Sequence, residues 1–209
     1  MSAVTVAAAP HEEFAAGDER NAERSARTFS PTEARILTAA LGLIGRRGVR
    51  RLGMQEIAEA AGVSRGTLYR YFPSLDHVLA AAADFDEQRF STGADEVLAT
   101  VTEPEQRISA FLAYAFEFIR SHSARSLFES EPGFVLSYLL DHLPSLRAEL
   151  IWRLGDALDV VPAVKRGDLD REQLADVMVR LFASSWIIPE SDERTLVHSM
   201  NRILEITPD

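Results

Sequence analysis

Apolar residues recur every three or four positions along most of the chain, and this spacing predicts helices. The first helix begins at Ser30, where Pro31 suits the first turn and Glu33 completes a capping box. Its apolar face is formed by Ile36, Leu37, Ala40, Leu41 and Ile44. No long stretch alternates apolar and polar residues as a β-strand does, so we expect an all-α fold.

Two short helical segments follow the first helix and are joined by a tight glycine turn. The pattern predicts one helix at 54–61 and another at 65–72. Gly62 ends the former because it has no Cβ to resist a left-handed backbone, and Ser64 caps the latter. Two short helices connected in this way predict a helix-turn-helix.

The rest of the chain carries longer helical patterns separated by prolines. A helix starting at Ser74 and another starting at Pro104 are followed by expected helices near 125–130, 133–143, 145–160, 170–188 and 192–206. We divide the chain into a disordered polar arm at 1–29, a three-helix helix-turn-helix domain at 30–77 and a C-terminal helical bundle at 78–209.

The amino-acid composition excludes several kinds of site and of protein. The 209 residues include no cysteine, which excludes disulfides and thiolate metal sites. No apolar run approaches the roughly 20 residues that span a bilayer, and no secretory signal pattern opens the chain. We therefore expect a cytoplasmic protein with no membrane partner.

The net charge of −10 is unusual for a protein that binds nucleic acid, but the charge is unevenly distributed. Residues 30–77 hold seven arginines against four acidic residues, which gives this segment a charge of +3. Attraction to phosphate acts within a Debye length of about 8 Å at physiological salt, so the local charge matters more than the total. A nucleic-acid partner thus remains compatible with the composition.

The helix at 65–72 presents an unusual outer face. Leu68 and Phe72 lie four positions apart and face inward with Val63. We predict DNA contacts for the cap and the outward side chains, namely Ser64, Arg65, Gly66, Thr67, Tyr69, Arg70 and Tyr71. Arginine can bond guanine O6 and N7, and tyrosine hydroxyls can reach phosphates. A helical hairpin with an ordinary polar face is the alternative that these residues leave open.

The surrounding motif is specific. It comprises Ile57-Ala58, Ala61-Gly62-Val63-Ser64 and Gly66-Thr67-Leu68-Tyr69-Arg70-Tyr71-Phe72-Pro73-Ser74. With these residues, the stretch 30–79 resembles the DNA-binding domain of TetR-family transcriptional regulators. The resemblance implies that Arg65, Gly66 and Thr67 lie over bases while Tyr69 and Tyr71 grip the DNA backbone.

Three positions depart from the family pattern. Gly53, Gln55 and Leu75 stand where a threonine, a basic residue and a lysine are usual, and each departure removes an expected phosphate contact. The nearby Arg46, Arg47, Arg50 and Arg51 are either solubilising charges or compensating phosphate contacts. Without compensation we expect DNA binding to depend less on salt than is typical.

The resemblance also implies a partner for each part of the chain. It implies a double-stranded operator of near-palindromic sequence, a homodimer, and a small hydrophobic or amphipathic effector bound in the bundle at 78–209, with no cofactor or metal. We expect the walls of the effector pocket to include Tyr114, Phe118, Phe134, Tyr138 and Trp152. We expect the dimer interface to include Met178, Leu181, Phe182, Ser185, Trp186, Leu196, Val197, Met200, Ile203 and Leu204.

Two other functions remain compatible with the sequence. An activator, or a regulator that senses a protein, would use the same DNA-binding domain with a different output. A helical enzyme is the less favoured alternative, because the five histidines lack ligand spacing and no Gly-x-Ser-x-Gly motif occurs. We therefore expect a repressor that is released by its ligand, and no enzyme.

Overall fold

A computed structural model describes residues 28–122, 132–187 and 193–205. Within these ranges all regular structure is helical, which confirms the all-α prediction. The helices are α1 at Pro31–Arg47, α2 at Met54–Ala60, α3 at Arg65–Tyr71, α4 at Leu75–Ala99, α5 at Pro104–Ser121, α6 at Pro132–Leu154, a 3₁₀ helix at Gly155–Val160, α7 at Pro162–Lys165, α8 at Arg171–Ile187 and α9 at Glu193–Ile203. The expected disordered arm, apart from its last two residues, and the helix expected near 125–130 lie outside the described residues.

Local signals in the sequence fix the starts of the N-terminal helices. At α1 the backbone N–H of Ser30 donates to Glu33 Oε2 at 2.9 Å, and Glu33 N–H donates to Ser30 Oγ at 3.3 Å. This reciprocal pair satisfies two of the N–H groups that a helix start leaves without partners. The capping box expected from the sequence is therefore present.

The helix α6 differs from the sequence prediction. Pro144 was expected to separate two helices at 133–143 and 145–160, but Pro132–Leu154 is one helix with Pro144 inside it. A proline removes one backbone hydrogen bond and tends to kink a helix, yet packing on both sides of it can outweigh that loss. Here Val135 and Leu139 before the proline and Leu150 after it are all buried.

The buried side chains form two clusters. The head cluster joins α1, α2 and α3 to the first half of α4, and it also includes Val135 and Leu139 from α6. The body cluster joins the second half of α4 to α5, the end of α6, the 3₁₀ helix, α8 and α9. The long helix α4 therefore connects a small helical head to a larger helical body.

Among the helices of the described residues, none is both long enough and apolar enough to cross a membrane.

Candidate nucleic-acid interface

The turn between α2 and α3 sets the angle of the second helix. Gly62 adopts a φ of 63°, a left-handed conformation that favours glycine. The N–H of Gly62 donates to Glu59 O at 3.1 Å, and the N–H of Val63 donates to Ala58 O at 3.0 Å. These bonds satisfy carbonyls at the end of α2 and hold the chain in position to start α3.

The start of α3 is capped by a side chain. Ser64 has an extended backbone, and its Oγ accepts a hydrogen bond from Thr67 N–H at 3.0 Å. The same Oγ shares a hydrogen bond with Thr67 Oγ1 at 2.9 Å. The cap therefore orients the Thr67 hydroxyl and leaves Arg65 and Gly66 exposed on the first turn.

The inner face of α3 anchors the helix in the head cluster. Leu68 and Phe72 are both buried there, together with Ile57 and Ala58 of α2. The two inward positions expected from the sequence are thus found inside. Because the inner face is fixed, the direction of the outer face is fixed as well.

The outer face of α3 combines cations with aromatic rings. Arg65, Gly66 and Arg70 are exposed, and the side chain of Tyr69 is 49% exposed, a large value for a tyrosine. The Arg70 guanidinium carbon lies 5.3 Å from the centroid of the Tyr71 ring, a distance that suits a cation–π contact. This face therefore presents hydrogen-bond donors and flat aromatic rings to a binding partner.

Tyr71 is less exposed than the sequence suggested. Its side chain is half-buried and packs against the head cluster, with its ring centroid 6.5 Å from that of Phe72. The spacing of α3 places position 71 at the border between the inner and outer faces. Thr67 is half-buried for the same reason, so the fully outward face is narrower than expected.

The departures from the family pattern have structural explanations. Leu75 is half-buried and packs against the head cluster, so an apolar contact occupies the position of the usual lysine. The Gln55 amide donates to Glu59 Oε1 at 2.9 Å along α2. Gly53 provides an extended N-cap for α2 without a side-chain hydrogen bond.

Of the arginines at the end of α1, Arg47 has a local partner. Its guanidinium donates to Glu56 Oε1 on α2, and both side chains are more than a third exposed. An exposed pair of this kind contributes little to stability. It does, however, reduce the cation's availability to a phosphate, whereas Arg46 and Arg51 are exposed on the same end of the head.

One residue near this surface was missed by the sequence analysis. His77 lies in the first turn of α4, where its Nδ1 shares a hydrogen bond of 2.7 Å with Oγ of the capping Ser74. Its backbone N–H also donates to that Oγ, at 3.4 Å. A histidine three residues after a capping serine was the available signal, because this spacing brings the two side chains together.

The residues expected to line an effector pocket divide into three groups. Tyr114 and Phe118 lie together on α5, with ring centroids 6.1 Å apart, and both contact Phe90 of α4. The side chains of Phe134 and Tyr138 lie outside the described part of the structure. Trp152 is 73% exposed, so its expected place in an interior wall is wrong. The helical period turns its side chain away from the body cluster, which receives the neighbouring Ile151 and Leu154 instead.

Tyr114 makes a more specific contact than the sequence suggested. Its hydroxyl donates to the backbone carbonyl of Phe90 at 3.0 Å and lies 3.4 Å from that of Arg89. Burial raises the pKa of this phenol, because an ionised oxygen would lose its hydration there. The hydroxyl joins α5 to α4 and is therefore already engaged.

Several residues expected at a dimer interface belong instead to the interior of one chain. Met178 is fully buried and Met200 is 2% exposed, both within the body cluster, and Ser185 and Leu204 are also buried. Their assignment to an interface surface is wrong, because α8 and α9 direct them at α5 and α6. Phe182 contacts Phe116 of α5, with ring centroids 5.0 Å apart, but it is only half-buried at the edge of the body cluster and stays a candidate for the interface.

The remaining members of that set stay candidates for an interface. Leu181, Leu196 and Val197 are half-buried at the edge of the body cluster, and Ile203 is 75% exposed. The side chain of Trp186 lies outside the described part of the structure. The apolar positions on α8 and α9 were correctly recognised, but their helical spacing did not reveal which neighbour covers each one.

Comparison with known proteins assigns the family. Residues 36–82, which span α1 to α3 and the start of α4, match the family model of bacterial regulatory proteins, tetR family. The HTH-type transcriptional regulator EthR of Mycolicibacterium smegmatis is 30% identical over 153 residues, which cover 68% of this chain and 70% of that protein. The HTH-type transcriptional repressor KstR of the same organism is 37% identical over 75 residues, which cover 36% of this chain and 37% of that protein.

A solved structure has the same fold over most of the chain. The fatty acid degradation regulator FadR from Bacillus halodurans superposes with a TM-score of 0.61 at 21% identity, covering 85% of this chain and 96% of that one. The helix-turn-helix with its capped α3, the matching family model and the identity to EthR together assign the chain to the TetR family of transcriptional regulators.

Proposed function

We propose that this chain is a homodimeric repressor that inserts α3 into the major groove of a near-palindromic operator and is released by a small apolar or amphipathic effector. The observation that carries the proposal is the first turn of α3, where Arg65 and Gly66 are exposed beside a Thr67 hydroxyl that Ser64 orients. A fixed helix start with an exposed arginine suits contact with base edges.

The role of α3 in reading DNA is supported by the charges around it. The head has a positive charge in a chain whose total is −10, so the acidic body disfavours binding in other orientations. Arg65 and Arg70 lie on the outer face itself, and Arg46 and Arg51 are exposed elsewhere on the head. We assign base contacts to Arg65, Gly66 and Thr67, and backbone contacts to Tyr69, Arg70 and Tyr71.

The assignment of a homodimer rests on apolar side chains that the single chain leaves uncovered. Ile203 on α9 is 75% exposed and Val177 on α8 is 46% exposed, and the half-buried Leu196 and Val197 also lie on α9. A second copy that covers these residues would bury apolar area and present two recognition helices about one turn of DNA apart. This interface replaces the wider one expected from sequence.

The class of effector is supported by the aromatic cluster on α5. Phe111, Tyr114 and Phe118 surround Phe90 of α4, and Phe182 of α8 joins them through Phe111. An aromatic cluster of this kind offers matching contacts to an apolar or amphipathic molecule that enters between α4 and α5. The structurally similar FadR is named for fatty acid degradation, which is a process with substrates of that class.

The test uses purified full-length protein and a pool of genomic fragments. Fragments retained at low salt are sequenced, and the resulting site is placed on a labelled duplex for gel-shift titration. We expect a two-fold symmetric site whose shifted band disappears when a long-chain fatty acid or a sterol ketone is added. Retention of no duplex would refute the DNA-binding role, and a band unaffected by an effector series would refute release by a ligand.

A further inference from the structure

The helix α4 belongs to both cores. Val78, Ala81 and Ala82 in its first half lie in the head cluster, whereas Ala94 and Leu98 in its second half lie in the body cluster. The helix passes from one core to the other across the polar segment 86–89. The helix α6 also reaches both clusters, with Val135 and Leu139 in the head cluster and Leu150 and Leu154 in the body cluster. A change in the position of the head relative to the body therefore acts on α4 near this crossing as well as on α6.

Side chains from the body bind α4 immediately after the crossing. The Tyr114 hydroxyl on α5 donates to Phe90 O at 3.0 Å and lies 3.4 Å from Arg89 O. The Arg153 guanidinium on α6 donates to Ser91 O at 3.2 Å. Two successive carbonyls inside one helix, Phe90 O and Ser91 O, thus receive a donor from another helix in addition to the helical N–H that each carbonyl ordinarily serves, and Arg89 O lies beside the first donor.

The approach of Tyr114 depends on the absence of a side chain at Gly93. A Cβ placed on Gly93 would lie 2.2 Å from the Tyr114 hydroxyl oxygen and 2.7 Å from its Cζ. Both distances are far below contact distance, and they involve a ring that packs against Phe90 and Phe118. The glycine therefore permits the hydroxyl to reach the backbone of α4.

Arg153 is a second side chain of the body that binds α4 through several hydrogen bonds. Its side chain is 3% exposed, and its Nε and Nη2 donate to Oε1 of the buried Glu149 at 3.0 and 2.9 Å. The guanidinium also contacts Asp95 and the hydroxyl of Ser91 on α4. A buried guanidinium whose donors are all engaged cannot exchange a partner for water without a large cost.

We infer that Tyr114 and Arg153 are positioning residues that fix α4 to the body at Arg89–Ser91, so that the first half of α4 turns about this point together with the head. The head turns with that half because Val78, Ala81 and Ala82 lie in its core, in the cluster that also includes Val135 and Leu139 of α6. The attachment of α4 to the body at this point involves contacts within one chain and requires no DNA. Its effect on operator binding rests on the proposed function.

The test measures the position of the head within one chain. The protein has no cysteine, so spin labels go on Ala60→Cys in α2 and Gln106→Cys in α5, which are both exposed positions. Labelled chains are diluted with unlabelled chains so that pulsed electron paramagnetic resonance reports distances within one chain. We expect one narrow distance for the parent and a distribution at least twofold broader for Tyr114→Phe, which loses only the hydroxyl.

The matched control removes another hydroxyl that donates to a backbone carbonyl of α4. Thr100 Oγ1 donates to Val97 O at 2.7 Å at the far end of α4, and Thr100→Val should leave the distance distribution narrow. Gly93→Ala displaces the Tyr114 ring by a different route and should broaden or shift the distribution, with helical content checked by circular dichroism. A lower melting temperature for Tyr114→Phe with an unchanged distribution would mean a merely structural role and would overturn the inference.

A second measurement links the fixed point to DNA binding. Operators with the spacer between half-sites lengthened or shortened by one base pair are titrated with each variant. The parent and Thr100→Val should prefer one spacer at least tenfold, and Tyr114→Phe should lose most of that preference. A parent that binds no duplex at all would refute the proposed function but would leave the distance result standing, so the two failures are distinguishable.

Discussion

The Tyr114 hydroxyl occupies the space that a side chain at position 93 would need, since a Cβ on Gly93 would lie 2.2 Å from that oxygen. The glycine lies inside a 25-residue helix, where it costs about 0.5–1 kcal/mol relative to alanine. The close contact with Tyr114 explains why that cost is accepted: α4 and α5 gain a hydrogen bond between a side chain and the backbone.

We predict that the effect of Gly93→Ala on stability changes sign with the residue at position 114. In the parent, the clash with Tyr114 should make the alanine destabilising by about 1–3 kcal/mol. In a Tyr114→Ala background the space is free, and the same change should stabilise by up to about 1 kcal/mol through helix propensity. A double-mutant cycle by urea unfolding measures both values. Equal effects in the two backgrounds would contradict the contact.

A second prediction concerns base recognition by α3. Arg65→Ala should weaken operator binding by about 1–3 kcal/mol and relax the base preference at one position in each half-site. The control is Lys165→Ala on the exposed surface of α7, which removes the same charge away from the head and from the proposed interface. Binding sites selected from a random pool give the preference directly. An unchanged sequence preference for Arg65→Ala would remove this residue from the base contacts.

A third prediction concerns the salt dependence of DNA binding. Gln55 stands in the first turn of α2 where a basic residue is common in the family, and its amide now bonds Glu59. Gln55→Lys should add about one phosphate contact, which steepens the slope of log affinity against log salt by about 0.9. Gln106→Lys in α5 adds the same charge far from the head and should leave the slope unchanged. Equal slopes for both variants would place α2 away from the DNA backbone.

The fourth prediction follows from the raised pKa of Tyr114, which is caused mainly by burial and opposed by the charges of Arg89 and Arg153. A phenol whose pKa is higher in the folded chain stabilises the fold below its unfolded value of about 10, and this contribution is lost as the pH rises through the folded value. The stability difference between the parent and Tyr114→Phe should therefore shrink above about pH 10. Denaturant titrations at several pH values test this, and the difference between the parent and Thr100→Val should stay constant.

The final prediction concerns the dimer. Ile203→Arg would place a charge where an exposed apolar side chain on α9 is proposed to meet the second copy, and it should yield monomers in light scattering. Leu140→Arg is the control, because Leu140 on α6 is similarly exposed, at 60%, and lies outside the proposed interface. An intact dimer for Ile203→Arg would move the interface to another surface.

The sequence predicted the head better than the body, for a physical reason. Capping at Ser30 and Ser64 and the turn at Gly62 depend on residues within four positions of each other, so short motifs determine them. The inward positions Leu68 and Phe72 follow from the same local periodicity. These signals sufficed to predict where α3 begins and which of its sides faces inward.

In the body, the same periodicity identified apolar positions but did not determine which helix packs against each of them. The spacing of α8 and α9 marks Met178 and Met200 as apolar, but it does not distinguish burial under α5 from burial under a second chain. For Trp152, an aromatic residue was taken as interior although the rotation of α6 turns it outward. The contact of Tyr114 with α4 joins residues 24 positions apart, which is beyond the reach of any local pattern.

The segment 86–89 of α4, which lies between the two clusters, is also a suitable position for joining the head of another protein to the body of this one. We call this position the seam. The segment 86–89 contributes no residue to either set of buried apolar side chains, so a join made there divides neither set along the helix. A foreign head grafted at this seam would still meet Val135 and Leu139, which reach it from α6. Hybrids that join a foreign head to this body should therefore carry matching changes at these two positions.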